Sequence, residues 1–546
     1  MPFTADMRRS VEQIRDYLFG GGYPDPVNNA EQLSLLFFFY LSEGLDAQQA
    51  ARARIAKKSR ESVFADDWKL KNPLNAQSFG GKKTIPRENL RWSVWAKGLS
   101  GEVLVRFVRD EVFPFFAEMA NGSAVNFMDG ARLSIDEPTV LTQVVNLVDG
   151  LHLDQADSDS KGDLFEHVLK QIRQAGELGQ FRIPRHIIRA IVEIVDPKIG
   201  ETIYDPAAGT AGFLVAAYNH IRLANSSPDG IEEVELDGKK VRRGLGDRLS
   251  AAQQTILESR TFFGNDVDPK MVHLATMNLT LRGLPGVRIV KRNVLTTSLE
   301  PETKQTLGVP VEGYSVVLAN PPFSGRLDKD RILDDIKVGT TTATEILFVK
   351  YMMQSLKPGG RCGVIVPEGL LFGSTGAHKE LRRQLIENNT VHAVLSLPGG
   401  VFNPYSGVKT SILIFAKGGS TERVLFLHAD NEGYKLDAQH DTPIDADDLP
   451  ALVNAYRSRY KRWKEWQKRD TNVNWNEKWW FVSVDEIRAR DFNLSAGAYR
   501  PLSKMQVEHR NPRELLDELA AIEAEIAAEV EALRGTLGEP ASAVSQ

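Results

Sequence analysis

The chain of 546 residues is poor in cysteine, and Cys362 is its single example. One cysteine excludes an internal disulfide bond and a zinc site built from several thiolates, and we expect no metal site. Long hydrophobic runs are also missing, because the most apolar stretch, residues 33–41, is too short to span a bilayer. The first ten residues lead into charged residues rather than an apolar signal segment. We therefore expect a cytoplasmic protein without a membrane partner.

An excess of one charge is missing as well. The 67 Lys and Arg residues nearly balance the 72 Asp and Glu residues, which leaves a net charge of −5. This balance excludes a uniformly basic nucleic-acid-binding protein, so contact with DNA would need a local patch or a partner. The chain also shows no phosphate-binding Gly-Lys-Ser/Thr loop, no Gly-x-Gly-x-x-Gly fingerprint and no convincing nuclease or helicase signature.

The hydrophobic pattern divides the chain into regions of different character. A polar stretch, DQADSDSKG at residues 154–162, predicts a linker between the first two regions. The last helical region has apolar residues three and four positions apart over about three heptads, which predicts an amphipathic helix. The predicted regions are a helical amino-terminal domain (1–153), a domain of alternating strands and helices (163–430), a polar and irregular extension (431–510), the amphipathic helix (511–536) and a disordered tail (537–546).

The alternating region predicts an α/β fold with a mainly parallel sheet, covered by helices on both faces. Helices are predicted between most of the strands, at residues 269–282, 344–356 and 378–388. Residues 225–259 are longer than a crossover needs, and Asp237-Gly238 predicts a hairpin turn in a surface insertion. The strands are predicted at residues 201–204, 261–263, 287–290, 314–318, 361–366, 391–397 and 411–415.

Three of these strands lead into residues that suit a ligand site. DPAAGTAGFL, residues 205–214, is a glycine-rich turn before a helix, where the backbone can approach a ligand closely. Asp266 ends the next strand, and an acid there can accept hydrogen bonds from ribose hydroxyls, although it equally suits a helix N-cap before Pro269. Asn320-Pro321-Pro322-Phe323 ends a third strand and, taken alone, predicts only a rigid turn.

In this order, the motifs resemble the S-adenosylmethionine-dependent amino-methyltransferases of the DNA adenine-N6 family. Residues 320–323 match the family's Asn/Asp-Pro-Pro-Tyr/Phe motif, and residues 205–212 match its cofactor loop. Gly179-Gln180-Phe181 and Pro184-Arg185 match the segment before that loop. A cofactor motif that precedes the catalytic motif is the order of the gamma branch.

The resemblance extends to the modification (M) subunit of type I restriction-modification systems over most of residues 10–505. It includes SLKPGGRCGVIVPEGLLF (355–372), VLSLPGGVFNPYSGVKTSI (394–412) and NLSAGAYRP (493–501). It implies a Rossmann-like methyltransferase sheet, double-stranded DNA as substrate, and a carboxy-terminal helix that meets a partner. The implied partners are a specificity (S) subunit that reads the DNA sequence, with two M subunits per S, and a restriction (R) subunit in the full complex.

The resemblance also implies roles for individual residues. The side-chain oxygen of Asn320 and the carbonyl of Pro321 would accept hydrogen bonds from the adenine amine, and the stiff Pro322 would hold both acceptors in place. Phe323 would stack on a base turned out of the duplex. The implied S-adenosylmethionine contacts are Gln180, Phe181, Pro184, Asp205 (to the methionine amine), Ala207, Gly209, Thr210, Gly212, Phe213, Asp266 (to the ribose) and Asn293 (towards the adenine).

Some positions depart from the family pattern. Arg182-Ile183 stands where Tyr-Thr is usual, and Ala208 and Ala211 stand where Cys and Gly are common. Asn293 replaces a frequent acidic residue, so weaker cofactor affinity is an open alternative. Two other functions stay open as well: methylation of another amide or amine, such as a protein glutamine, and a cofactor-binding scaffold that has lost its chemistry.

Two stretches mix basic and aromatic residues, at 456–480 and at 82–97. Such a mixture suits contact with nucleic acid. The alternative, which we favour, is a solvated helix whose tryptophans pack on the domain. The carboxy-terminal helix has two readings as well, since it can pack on its own chain or meet a partner helix.

Overall fold

The computed structural model describes residues 4–55, 61–120, 127–174, 183–284, 286–403, 407–437, 440, 442–470, 475, 477–501, 523–524 and 526–527. Among these residues, no helix combines the length and the apolar character that a membrane crossing requires. The helices are α1 (Ala5–Gly20), α2 (Pro26–Ile55), α3 (Trp92–Gly98), α4 (Gly101–Phe107), α5 (Phe113–Ala120), α6 (Pro138–Asp149), α7 (Ser158–Gln174), α8 (Arg185–Val195), α9 (Gly212–Ala224), α10 (Ala251–Ser259), α11 (Pro269–Thr280), α12 (Pro301–Leu307), α13 (Thr344–Ser355), α14 (Glu368–Phe372), α15 (Gly376–Asn388), α16 (Leu449–Arg457), α17 (Arg459–Gln467) and α18 (Val484–Ala489).

The strands belong to one large sheet and three two-stranded ribbons. All the helices and strands named here lie in one compact unit, formed by residues 1–469 and 478–500. The strands are β1 (Asp67–Lys69), β2 (Thr84–Pro86), β3 (Ile203–Asp205), β4 (Ile231–Leu236), β5 (Lys239–Gly244), β6 (Phe262–Asp266), β7 (Arg288–Lys291), β8 (Tyr314–Ala319), β9 (Leu356–Pro367), β10 (Asn389–Ser396), β11 (Thr410–Lys417), β12 (Arg423–His428), β13 (Glu432–Tyr434), β14 (Pro443–Asp447) and β15 (Trp479–Ser483).

The large sheet has the strand order β15-β12-β10-β11-β9-β8-β3-β6-β7. The run β9-β8-β3-β6-β7 is parallel throughout, whereas β11 is antiparallel to both of its neighbours. All six residues of β8 are buried, although successive side chains point to opposite faces, so both faces of the sheet are covered. The mainly parallel α/β fold expected from the sequence is confirmed, as is the hairpin of β4 and β5, which turns at Asp237-Gly238.

The amino-terminal region is mainly helical, as predicted, apart from the short ribbon of β1 and β2. Its core is rich in aromatic rings. Phe39 stacks on Phe116 with ring centroids 4.8 Å apart, and Trp92 meets Trp95 edge-on at 4.8 Å. Both tryptophans are buried, so in this stretch they stabilise the domain rather than face a nucleic acid.

The predicted linker is wrong in its second half, because α7 begins at Ser158. An apolar face of α7 packs on α2, and its Leu164 and Phe165 belong to the amino-terminal core. Helix α11, which follows β6, contributes Met271 and Leu274 to the same core. The helical region and the sheet region are therefore joined through one continuous hydrophobic core.

The chain after residue 430 is more ordered than its composition predicts. Strand β15 pairs with β12 and closes one edge of the large sheet, so the sheet continues beyond residue 430. The strand pattern of β15 was not recognised in the sequence because its residues, WWFVS, lie next to polar residues. Trp466, Trp479 and Trp480 are buried, which agrees with the packed-tryptophan interpretation. The amphipathic helix predicted at 511–536 lies almost wholly outside the described residues.

Candidate active site

A cavity of about 1100 Å³ opens at the carboxyl ends of the parallel strands. Ligands of open α/β sheets bind at this edge, because the loops that follow neighbouring strands meet there. Asp205 ends β3, Asp266 ends β6 and Asn320 follows β8 directly. All three residues line the cavity, together with Asn293, which follows β7. The fold thus brings together residues that are up to 115 positions apart.

Hydrogen bonds donated by its backbone N–H groups hold the glycine-rich loop between β3 and α9 in place. Ala208 donates its N–H to the carbonyl of Asn265 at 2.9 Å, and Ala207 donates to the carboxylate of Asp205 at 3.0 Å. Gly209 has a φ of 50°, which glycine adopts without strain, and a side chain there would point into open space. The loop residues Ala207, Gly209, Thr210, Gly212 and Phe213 all line the cavity.

Ala211 is the residue of this loop with a strained backbone conformation. It is the residue before α9 and has a φ of 65°, in the left-handed region that disfavours a Cβ atom. The sequence departure from Gly to Ala therefore carries a backbone penalty. Since the residue is fully buried, the surrounding packing holds it in this conformation.

Two buried carboxylates, Asp205 and Asp266, line the cavity beside the glycine-rich loop. Asp266 accepts N–H groups from Gly209 at 3.0 Å and from Asp268 at 2.9 Å. Asp268, not Asp266, caps α11 by accepting the N–H of Lys270, so the N-cap alternative for Asp266 is wrong. Burial, with a smaller contribution from the charge of Asp266, raises the pKa of the Asp205 carboxyl to about 8. Burial also raises the pKa of Asp266.

A polar network beneath Asn293 was not evident from the sequence. Arg292 donates to the side-chain oxygen of Asn265 at 3.1 Å and to the hydroxyl of Tyr351 at 2.9 Å. Tyr204 donates to the same oxygen of Asn265 at 2.7 Å. These bonds join the ends of β3, β6 and β7 to α13. No spacing pattern could reveal them, because their partners come from four separate segments.

The Asn-Pro-Pro-Phe segment presents only part of itself to the cavity. Asn320, Pro321 and Pro322 line it, whereas Phe323 does not. The Phe323 ring is buried against Phe402, edge to face, with centroids 5.1 Å apart at 88°. A base-stacking role for Phe323 therefore requires its ring to share or leave this contact.

The hairpin of β4 and β5 forms part of the cavity wall, so the insertion is more than a surface feature. Arg243 of β5 makes a double hydrogen bond to Asp163 of α7, at 2.8 and 3.0 Å. Arg222 of α9 binds Asp159 in the same way, at 2.7 and 3.0 Å. The four basic residues of β5 (KKVRRG), opposite the acidic residues in the first half of α7, are the sequence signal that could have identified this wall.

The segment before the cofactor loop is described only in part. Gln180 and Phe181 lie outside the described residues. Pro184 is the residue before α8, and its neighbours Ile183 and Arg185 line the cavity.

The residues present fit a nucleoside ligand that carries a positively charged amine. Two carboxylates whose ionised forms are disfavoured by burial gain a partner when a cation binds beside them. The open space at Gly209 lets the backbone approach such a ligand closely. The cavity volume of about 1100 Å³ is slightly above the usual range of small-molecule sites, so the cavity has room for such a ligand.

Residues 156–508 of the chain match the N-6 DNA Methylase family. The methylase subunit of the type I restriction enzyme EcoEI from Escherichia coli is 30% identical over 478 residues, which cover 83% of this chain and 86% of that relative.

Solved structures show the same similarity. A chain from a study of complex assembly and conformational transition of the type I R-M system is 26% identical, with a TM-score of 0.66, and covers 98% of this chain and 99% of its own length. The type I restriction-modification methyltransferase subunit from Streptococcus thermophilus is 18% identical, with a TM-score of 0.60, and covers 90% of this chain and 98% of its own. At that identity, the second similarity bears on the fold alone.

Proposed function

The chain belongs to the N-6 DNA Methylase family, and from this premise we propose that its cavity transfers a methyl group from S-adenosylmethionine to an adenine turned out of double-stranded DNA. Within the family, it is a DNA adenine methyltransferase of the type I modification-subunit kind. One observation carries the proposal: Asn320 and Pro321 line the same cavity as Asp205 and Asp266.

On the cofactor side, this chain's residues bind and orient the ligand. S-adenosylmethionine supplies a methyl group on a positively charged sulfur when it is bound. Asp205 would accept hydrogen bonds from the methionine amine, and Asp266 would accept them from the ribose hydroxyls. Gly209 and Gly212 would allow close backbone approach, and Asn293 would contact the adenine ring through its amide. Gln180, Phe181 and Pro184 would complete the pocket wall.

On the substrate side, Asn320 and Pro321 make the target nitrogen reactive. The lone pair of an adenine amine is delocalised into the ring, so the amine is a poor nucleophile. Two hydrogen-bond acceptors, the Asn320 side-chain oxygen and the Pro321 carbonyl, favour a tetrahedral nitrogen whose lone pair is available. Pro321 and Pro322 fix the backbone between them, so these acceptors need no reorganisation during the reaction. No covalent bond between enzyme and base is needed.

The base must leave the duplex to reach this cavity, because its amine is paired inside the stack. Phe323 would then stack on the base, exchanging part of its contact with Phe402. A separate specificity subunit would choose the DNA site, with two modification subunits per specificity subunit and a restriction subunit in the complete complex. The segment between β8 and α13, residues 320–343, is too short to form a target-recognition domain of its own.

Labelled methyl transfer to DNA tests this function directly. The full chain is assayed with and without a co-expressed specificity subunit, as wild type, as Asn320→Ala and as Asn388→Ala. Asn388 is an exposed residue at the end of α15 and serves as the matched control. We expect Asn320→Ala to lower the rate by about 10²- to 10³-fold with cofactor affinity unchanged, because a preorganised hydrogen bond is lost.

Three results would contradict the proposal in different ways. DNA labelling that survives Asn320→Ala would remove Asn320 from the chemistry. Cofactor binding by the wild type without any labelling, even with the specificity subunit, would favour a cofactor-binding scaffold. Labelling of protein glutamine instead of DNA would identify a different substrate.

A further inference from the structure

A cluster of two histidines and a glutamate lies outside the residues that line the cavity. His186 comes from the first turn of α8, Glu432 begins β13, and His440 follows β13 in the next loop. The Nε2 atom of each histidine faces a different oxygen of the Glu432 carboxylate. One ligand atom from each residue lies within 4.8 Å of the others. Glu432 is fully buried, and the two histidine side chains are about nine-tenths buried.

Neighbouring groups hold both imidazole rings in place. The Nδ1 atom of His440 lies 3.1 Å from the carbonyl oxygen of Val401, which can only accept a hydrogen bond. Nδ1 therefore carries a proton, and in the neutral ring the lone pair of Nε2 points at Glu432. The His186 ring stacks on Tyr434 with centroids 4.3 Å apart at 20°. Metal-binding histidines commonly donate their other ring N–H to a backbone carbonyl, as His440 does here.

Two imidazoles and a carboxylate form a ligand set that suits one class of ion. Such a His₂Glu set binds Zn²⁺ in a tetrahedral arrangement with one position left for water. Imidazole ligands favour transition metals over Mg²⁺ or Ca²⁺, which prefer oxygen. The nearby ammonium group of Lys239 is already neutralised by Asp447 at 2.7 Å. We propose that His186, Glu432 and His440 bind a divalent transition-metal ion, with zinc as the best match.

The position of this centre gives it a structural consequence. It would tie one residue of α8, His186, to two residues of the chain after β12, although His186 and Glu432 are 246 positions apart. Through the carbonyl of Val401, it would also fix the residue next to Phe402, whose ring contacts Phe323. The ion would thus join the helix that flanks the cofactor loop to the loop that supports the catalytic motif.

Metal binding can be measured without DNA or cofactor, so its failure is distinct from failure of the methyltransferase proposal. The untagged full chain is freed of metal with a chelator and titrated with Zn²⁺ against a chromophoric competitor. Co²⁺ is then added to a second sample to record its visible absorption. We expect one ion per chain, a tetrahedral Co²⁺ spectrum, and a Tm that rises by about 5 °C with saturating Zn²⁺.

Three variants and one control assign the ligands. His186→Gln, Glu432→Gln and His440→Gln are each expected to weaken Zn²⁺ binding by at least tenfold. His428→Gln is the matched control, since His428 pairs with one carboxylate, Asp430, at 3.0 Å. Its Zn²⁺ affinity should equal that of the wild type. Wild-type protein that binds no Zn²⁺ and gives no tetrahedral Co²⁺ spectrum would overturn the proposal, whether or not the variants fold. Equal loss in the His428→Gln control would overturn it too.

Discussion

The two walls of the cavity are built by different means. The first wall, proposed for the cofactor, contains Asp205 and Asp266. Its buried carboxylates accept hydrogen bonds from backbone N–H groups, such as that of Gly209 to Asp266 at 3.0 Å. The second wall, proposed for the substrate base, contains Asn320 and two prolines. It lies beside Phe323 and Phe402, whose rings pack against each other. Hydrogen bonds to backbone fix the position of the first wall, whereas ring packing can be exchanged for stacking on another ring. On the proposed function, the first wall would be ready for its ligand, whereas the second would have to open for its substrate.

Removing one carboxylate from the first wall should weaken cofactor binding. Asp205→Asn is expected to weaken S-adenosylmethionine binding by about 10- to 150-fold, because a hydrogen bond to a charged group contributes about 1.5–3 kcal/mol. Calorimetric titration measures the affinity. Asp268→Asn is the control, since Asn caps α11 as well as Asp does and residue 268 does not line the cavity. Equal losses in both variants would contradict a specific role for Asp205.

Replacing the aromatic ring of Phe323 beside the second wall should slow DNA methylation without changing cofactor affinity. Phe323→Leu is expected to lower kcat/KM for DNA methylation by about 10- to 100-fold, since stacking on a base contributes about 1–3 kcal/mol. Phe323→Tyr keeps the ring and should stay near wild type. Cofactor affinity should be the same in all three proteins. If Phe323→Leu methylates DNA normally, the ring serves only to pack against Phe402.

The pH dependence of cofactor binding distinguishes the two walls further. The pKa of Asp205 is raised to about 8 by burial, so its uncharged form dominates in the free protein at pH 7. An ammonium group prefers the ionised carboxylate, and binding therefore releases a proton. Affinity should rise by about tenfold from pH 6 to pH 7 and level off near pH 8, where the amine itself begins to lose its proton.

Titration calorimetry in two buffers of different ionisation enthalpy would detect the released proton. Asp205→Asn should lose the tenfold rise between pH 6 and pH 7. A wild-type affinity that is constant between pH 6 and pH 8 would place the ammonium elsewhere.

The smallest expected effect concerns Ala211. Ala211→Gly should raise the free energy of unfolding by about 0.5 kcal/mol, because relief of a left-handed alanine slightly exceeds the extra entropy of glycine in the unfolded chain. Chemical denaturation measures this change. Ala208→Gly, in the same loop but without a positive φ, should instead be destabilising. A destabilised Ala211→Gly would mean that the lost methyl packing outweighs the strain.

The parallel sheet and the residues at its carboxyl edge could be predicted from the sequence, because each lies on a local pattern. Asp205, Asp266 and Asn320 each end an apolar run, and the fold brings such ends together. Strand β15 could not be predicted in the same way, since its pairing with β12 is set by tertiary packing. The packing of Phe323 could not be predicted from the sequence either, because its partner Phe402 lies 79 positions later. Contacts between residues so far apart produce no periodic pattern in the sequence.

The core shared by α2, α7 and α11 has a consequence for how this enzyme can be divided. His273 of α11 bonds Glu31 of α2 at 2.7 Å inside that core, and α11 begins three residues after Asp266. A catalytic fragment cut at residue 163 would therefore expose the apolar side of the helix that follows Asp266. The amino-terminal helices are not a detachable module that evolution or an engineer could exchange at that point. They form part of the frame on which the catalytic half folds.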